Sequence, residues 1–177
     1  MTAVFLGRFQ PFHLGHLHAV KHILQTSDKV IIAICATQYS YLPEHPLTLG
    51  ERILVVHTSL IDSGIDLRSC IVGSVPNIEN NALWVSLLKS CVPPFEVVFT
   101  NNPLTRKLFF QGDVPVKTTP WSRRAYWSAT HVRNVLRSGR SCNGLLSPSV
   151  IRLMQEMKIR DRLVGLQKQE LKKMGNW

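Results

Sequence analysis

The sequence predicts an α/β fold in which a parallel sheet carries helices on both faces, with a short helical extension at the C-terminal end. Three observations carry this expectation. Val30-Ile31-Ile32-Ala33-Ile34-Cys35-Ala36 is apolar throughout, as a strand covered on both faces should be. Segments with apolar residues at helical spacing alternate with such apolar runs along most of the chain. Turn-forming clusters such as Pro93-Pro94 and Asn101-Asn102-Pro103 separate the two kinds of segment.

Ala3-Val4-Phe5-Leu6 is the first strand, and Gly7 lets the chain leave it without a Cβ. Pro11 excludes helix, so Arg8 to Phe12 is loop. Leu17, Val20, Ile23 and Leu24, with Lys21 and Gln25 between them, mark the first helix. Ser27-Asp28-Lys29 turns the chain into the Val30–Ala36 strand. Thr37 to Pro46 is a polar loop, and Thr48-x-x-Glu51 reads as a capping box. The helix it opens carries Ile53, Leu54, Val56, Leu60 and Ile61, and Gly64 stops it. Cys70 to Gly73 with Val75 is a third strand, followed by the polar loop Pro76 to Asn81. Leu83 to Cys91 is helical until Pro93-Pro94. Phe95 to Thr100 is the fourth strand, Leu104 to Phe110 a short helix, and Val114 to Thr118 the last strand. Ser128 and Thr130 are N-cap candidates for a helix running to about Ser138, with Gly139 as its stop.

The 177 residues are enough for one domain with a real core, and 45% of them are hydrophobic, which argues for a folded globule. No apolar run approaches a membrane span, and the chain enters a strand almost at once with no signal-peptide pattern. Cys35, Cys70, Cys91 and Cys142 show no paired spacing, so they are expected to be reduced, mostly buried thiols of a cytoplasmic protein. Twenty-one Lys and Arg against 11 Asp and Glu give a formal charge of +10, which points to anionic partners. Arg123, Arg124, Arg133, Arg137 and Arg140 crowd one stretch. Lys158, Arg160, Arg162, Lys168, Lys172 and Lys173 crowd the C-terminal end, where a solvated helix face is the favoured account.

Residues 7 to 16, Gly7-Arg8-Phe9-Gln10-Pro11-Phe12-His13-Leu14-Gly15-His16, concentrate the chemistry. The order strand, sharp loop, helix puts two imidazoles and a guanidinium at a helix start, where free N–H groups and a partial positive charge favour an anion. In a parallel sheet the loop after the first strand lies at the ligand-binding edge. No Walker loop is present. His13, His16, His18 and His22 alternate faces with no Cys or acidic ligand nearby, so no metal site is expected. Ser128, Thr130 and Arg133 bring two hydroxyls and a guanidinium to a second helix start.

The first of these stretches resembles the His-x-Gly-His signature of the nucleotidylyltransferase superfamily. In its ten-residue form it is similar to the archaeal-type nicotinamide mononucleotide (NMN) adenylyltransferases. Ser128-x-Thr130-x-Val132-Arg133 resembles the second signature of the same superfamily, with Trp127 standing where Ile or Tyr is usual. Leu49-Gly50-Glu51-Arg52, Asn81-x-x-Trp84-Val85, Pro93-Pro94-Phe95 and Asn102-Pro103-Leu104-Thr105-Arg106 match in order, so the resemblance runs from about residue 4 to the low 160s. Asn77 departs from the Asp often found there. The resemblance implies a Rossmann-like single domain over residues 1–177, with an α/β core to about 125, then a phosphate-binding loop and C-terminal helices. It implies His13, His16, Arg8 and Arg133 as catalytic residues. Gly7, Arg8, Phe9, His13, His16, Ser128, Thr130 and Arg133 would bind ATP, and Gln10, Arg52, Asn81 and Trp84 would bind NMN or NAD. Magnesium would come with ATP and need no dedicated protein ligands, and the assembly would be a homo-oligomer.

The implied chemistry is in-line attack of the NMN 5′-phosphate on the α-phosphorus of ATP, giving NAD and pyrophosphate without a covalent intermediate. The nucleophile is already an anion, so catalysis reduces to positioning and charge stabilisation. That matches a residue set with no paired carboxylates. A class I tRNA synthetase is disfavoured, because Lys-Met-Ser-Lys-Ser is absent. The rival reading is a basic nucleic-acid-binding protein, but no RNP aromatic pattern or zinc knuckle is visible. A catalytically silent NAD or ATP sensor is the third reading, and retention of both histidines and Arg133 argues against it.

Overall fold

A computed structural model describes residues 1–110, 114–120 and 126–174, with residues 173 and 174 described by their backbone only. Ser122, Arg123 and Arg124 lie outside the described residues, as does the side chain of Lys173. The element order is β1 (Thr2–Gly7), α1 (Leu14–Leu24), β2 (Lys29–Cys35), α2 (Leu49–Asp62), β3 (Cys70–Val75), α3 (Trp84–Cys91), β4 (Val97–Phe99), α4 (Pro103–Phe110), β5 (Val116–Lys117), α5 (Ala129–Ser138), α6 (Pro148–Glu156) and α7 (Ile159–Met174). The five strands form one sheet in the order β3-β2-β1-β4-β5, and every pairing is parallel. The α/β, Rossmann-like expectation therefore holds.

Successive strand residues point to opposite faces, and the two cores follow that alternation. Ala3, Phe5, Val30, Ile32, Ile34, Val97 and Phe99 belong to one core with residues of α1, α2, α5, α6 and α7. Val4, Ile31, Ala33 and Val98 belong to the other, beneath Trp84 and Leu88 of α3 and Phe109 of α4. The C-terminal helices are part of the larger core, since Val132, Val135, Val150, Met154, Ile159 and Leu163 are all buried in it. Burial of each such side chain is worth about 1.5–3 kcal/mol, so these helices are an integral part of the core.

The expected boundaries move at three places. The fourth strand shortens from Phe95–Thr100 to Val97–Phe99, and the fifth from Val114–Thr118 to Val116–Lys117. Beyond them the Asn101 side-chain amide takes over the pairing, donating to Thr119 O (3.1 Å) and accepting from Thr119 N–H (3.2 Å). A short 3₁₀ turn, Asn81–Leu83, precedes α3. The Thr48–Glu51 capping box is present, with both reciprocal bonds formed. Gly139 ends α5 at φ +71°, as a left-handed C-terminal glycine should. The four cysteines are unpaired, but only Cys142 is fully buried and Cys91 is exposed. Burial is therefore less general among the thiols than composition implied. Among the described residues no helix is long and apolar enough to cross a membrane.

Candidate active site

The connections run outward from β1 in both directions: β2 and β3 follow on one side, β4 and β5 on the other. A crevice opens at such a reversal, beyond the carboxyl ends of the strands. Here it is a cleft of about 480 Å³ lined by the loop after β1, the loop after β4 and the start of α5. Arg8, Phe9, Gln10, His13 and His16 come from the first, Thr100 to Pro103 from the second, and Trp127, Ser128, Ala129, Thr130 and Arg133 from the third. The two stretches singled out by sequence therefore face one another across one cleft.

His13 is the N-cap residue of α1 and is 5% exposed. Its ring stacks on that of His16, with centroids 3.6 Å apart and planes inclined by 20°. The His13 backbone N–H donates to His16 Nδ1 at 3.2 Å, so a neutral His16 carries its proton on Nε2. Phe9 and Phe12 close around the His16 ring, at 4.9 Å and 5.3 Å between centroids. Burial pushes the His16 pKa well below its ordinary value, and the neighbouring His13 charge adds to this. Burial likewise lowers His13 to about 4. Both imidazoles are neutral near pH 7. His13 Nδ1 is buried, with no hydrogen-bond partner among the described residues.

Two glycines are explained by contact, not by dihedral angle. A Cβ on Gly7 would lie 2.4 Å from the Phe9 ring, so Gly7 makes room for Phe9, which sits at φ +48° and is 1% exposed. A Cβ on Gly15 would lie 2.8 Å from Trp127 Cβ and 3.1 Å from the His13 ring. Gly15 thus keeps the two signature stretches in contact.

At α5, Ser128 Oγ caps the helix by accepting from His131 N–H at 3.1 Å. Arg133 lies one turn in. Its Nη1 donates to Gln10 O (2.9 Å) and its Nη2 to Thr130 Oγ1 (3.4 Å), which ties α5 to the β1 loop. Burial lowers the Arg133 pKa, and the nearby Arg8 charge acts in the same direction. Arg8 is exposed to the cleft. Glu44 is the one carboxylate among the described lining residues.

The remaining expected site residues sit elsewhere or are otherwise engaged. Gln10 is 2% exposed, and its amide exchanges two 2.9 Å bonds with the Leu47 backbone. Arg52 is fully buried and does not line the cleft. Its guanidinium donates to Arg8 O (3.1 Å), Cys35 O (2.8 Å) and Ala36 O (3.4 Å), pinning the carboxyl ends of β1 and β2. Trp84 is 8% exposed and meets Phe109 edge-on at 6.3 Å, while Asn81 is exposed. Neither lines the cleft. Sequence reasoning missed Glu44, Thr100, Asn101 and Thr119. The rule that ligands gather beyond the carboxyl ends of parallel strands pointed to the loop after β4. Nothing in sequence pointed to Glu44.

Residues 4–135 match the cytidylyltransferase-like family. The nicotinamide-nucleotide adenylyltransferase of Caldivirga maquilingensis is 42% identical over 164 residues, 92% of each chain. That of Pyrobaculum arsenaticum is 39% identical over the same share. A bifunctional NMN adenylyltransferase/ADP ribose pyrophosphatase from Francisella tularensis, solved with AMP and a manganese ion, superposes with a TM-score of 0.81 at 22% identity. It covers 99% of this chain, which spans 55% of that longer protein and shares its fold. Two signature stretches facing one cleft, with this identity across nine-tenths of both chains, show that the chain belongs to the nicotinamide-nucleotide adenylyltransferases, a family of nucleotidyltransferases.

Proposed function

We propose that this chain joins ATP to nicotinamide mononucleotide, giving NAD and pyrophosphate. The observation that carries the reading is the cleft itself: a neutral, stacked histidine pair and two guanidiniums meet at two helix starts, with Glu44 the one carboxylate among its described lining residues. Such a site suits a polyphosphate and offers little to a reaction that needs paired acids. A 5′-phosphate oxygen of NMN attacks the α-phosphorus of ATP. The bond from that phosphorus to the bridging oxygen breaks opposite, and pyrophosphate leaves with the electron pair. No group has to remove a proton from the nucleophile.

In this reading His16 donates from Nε2 to a phosphate oxygen, and His13, stacked on it in the cleft wall, binds the same phosphates. Arg8, Arg133, Ser128 and Thr130 hold the outer phosphates. Magnesium arrives with ATP, bound through phosphate oxygens and water. Gly7, Phe9, Gln10 and Arg52 act as the frame: Phe9 packs behind His16, Gln10 accepts the Arg133 bond, and Arg52 holds the Arg8 carbonyl. Asn81 and Trp84 take the nicotinamide end on resemblance alone, and for Trp84 this requires the ring to turn away from Phe109.

The test is purified protein with ATP, magnesium and a panel of mononucleotides, including the nicotinic acid form, with dinucleotide and pyrophosphate both measured. Equimolar NAD and pyrophosphate from NMN is expected. Pyrophosphate release without dinucleotide, or no product with any acceptor, overturns the reading. Light scattering during size-exclusion chromatography tests the homo-oligomer that the resemblance implies.

A further inference from the structure

Trp127 departs from the residue usual before the second signature, and its surroundings give that departure a role. Its Cβ rests directly against Gly15, which has no room for a side chain of its own. Its indole ring lies 4.7 Å from the ring of His18, inclined by 31°, so the α1 start is gripped on two successive turns. Its Nε1–H donates to Gly144 O at 2.9 Å. The next residue of that loop returns to α1, since Leu14 N–H donates to Leu145 O at 2.9 Å. The contacts close a ring: α1 start, Trp127, Gly144-Leu145, α1 start. Ser128, the cap of α5, follows Trp127 directly.

We propose that Trp127 is a positioning residue for adenylyl transfer: it fixes the spacing between the α1 start, with its histidine pair, and the α5 start, with Ser128, Thr130 and Arg133. This inference rests on the transfer reading given above. The physical need is clear, because both helix starts must contact one triphosphate at once, and a misplacement of about 1 Å can cost about 10²-fold in rate. Val132 and Val135 anchor the body of α5 in the core, and Arg133, one turn in, ties it to Gln10 O. The indole, bonded at its edge and packed on its face, holds the residue immediately before the helix start against α1. Phe would keep the packing on Gly15 and His18 but lose the bond to Gly144.

The experiment measures kcat and KM for each substrate, and thermal melting with and without ATP, in the parent, Trp127→Phe, Trp127→Ala and His18→Ala. His18 does not line the cleft. In Trp127→Ala, kcat/KM for ATP should fall about ten- to a hundredfold, on the scale expected for misplaced reacting groups, with KM for NMN little changed. Trp127→Phe should recover most of that loss, and His18→Ala should show a smaller loss in the same direction. Parental kcat/KM for ATP in Trp127→Ala overturns the proposal. So does a silent His18→Ala beside a severe Trp127→Ala, because the indole would then act by touching the ligand. If Trp127→Ala fails to fold, Trp127→Phe and His18→Ala decide: parental kinetics in both overturn it. A parent that melts higher with ATP yet makes no NAD refutes the transfer reading instead, and the ATP-induced shift still reports on Trp127.

Discussion

His16 shows how a single residue is prepared for work. The aromatic rings around it keep it neutral, and the His13 N–H bond leaves Nε2 as the free donor. His16→Ala should lower kcat by about 10²-fold, the usual scale for one lost donor at developing charge; near-parental turnover would remove it from the mechanism. Arg133→Ala should weaken ATP binding as well as turnover, and Arg133→Lys should restore kcat/KM for ATP only in part, because one ammonium cannot reach both Gln10 O and a phosphate as a fork does. His13 also makes stability depend on pH. Its pKa is about 4 in the fold against an ordinary 6.5. Between those values the unfolded chain binds the extra proton, so the His13 contribution to stability falls as pH drops through this window and levels off below it. The loss amounts to about 3 kcal/mol. Melting between pH 7 and pH 4 should show it, and His13→Gln should flatten the slope. Trp84→Ala separates two roles: a raised KM for NMN with intact melting supports stacking, worth about 1–3 kcal/mol, whereas a collapsed melting temperature marks a core residue.

At the scale of elements, α7 serves the active-site end of the sheet through one side chain. Arg162 donates to both carboxylate oxygens of Glu51 at 2.6 Å and 2.7 Å, to Pro46 O at 3.0 Å, and lies 4.8 Å above the Tyr41 ring. It thereby clamps the loop from 37 to 46, which carries Glu44, onto the start of α2, which carries Arg52. Both partners of the ion pair are less than one-fifth exposed. Arg162→Ala should cost about 2 kcal/mol, the scale of a charged hydrogen-bond group left unpaired. Burial alone would raise the Glu51 pKa, but Arg162 and the Thr48 N–H hold it below its ordinary value. The stabilisation is therefore present above the usual carboxylate range and lost as pH falls through the lowered value. Melting curves of the parent and Arg162→Ala should converge on the acid side. A constant gap at all pH values would show that packing on Tyr41, not charge, is what Arg162 contributes.

For the whole molecule, the +10 charge leaves a choice between mononucleotides and nucleic acid. Arg8 and Arg133 gather at one cleft with the histidine pair, while Lys168 and Lys172 of α7 lie in a separate, exposed stretch. Binding to duplex DNA or RNA should be weak and vanish at moderate salt, since scattered cations release few counterions. ATP at about a hundred times its Kd should stabilise by about 2.7 kcal/mol. For a domain of this size that is a rise of roughly 5–10 °C in melting temperature. Salt-resistant nucleic-acid binding without a melting shift from ATP, NAD or NMN would reverse the assignment.

The sequence by itself determined the alternation of strands and helices, the cap at Thr48, the stop at Gly139 and the two signature stretches that line the cleft. These depend on residues near one another in the chain: apolar periodicity, turn chemistry and helix capping act over a few positions. Only the tertiary structure decided that Gln10 and Arg52 spend their polar groups on backbone carbonyls and amides, that Trp84 packs on Phe109, and that Glu44 enters the cleft. It also decided that Gly15 is bare for Trp127, 112 positions away in the chain. Each of these outcomes turns on which distant groups compete for one donor or one volume. That competition has no signature in local sequence, because it is settled only when the sheet order brings the partners together.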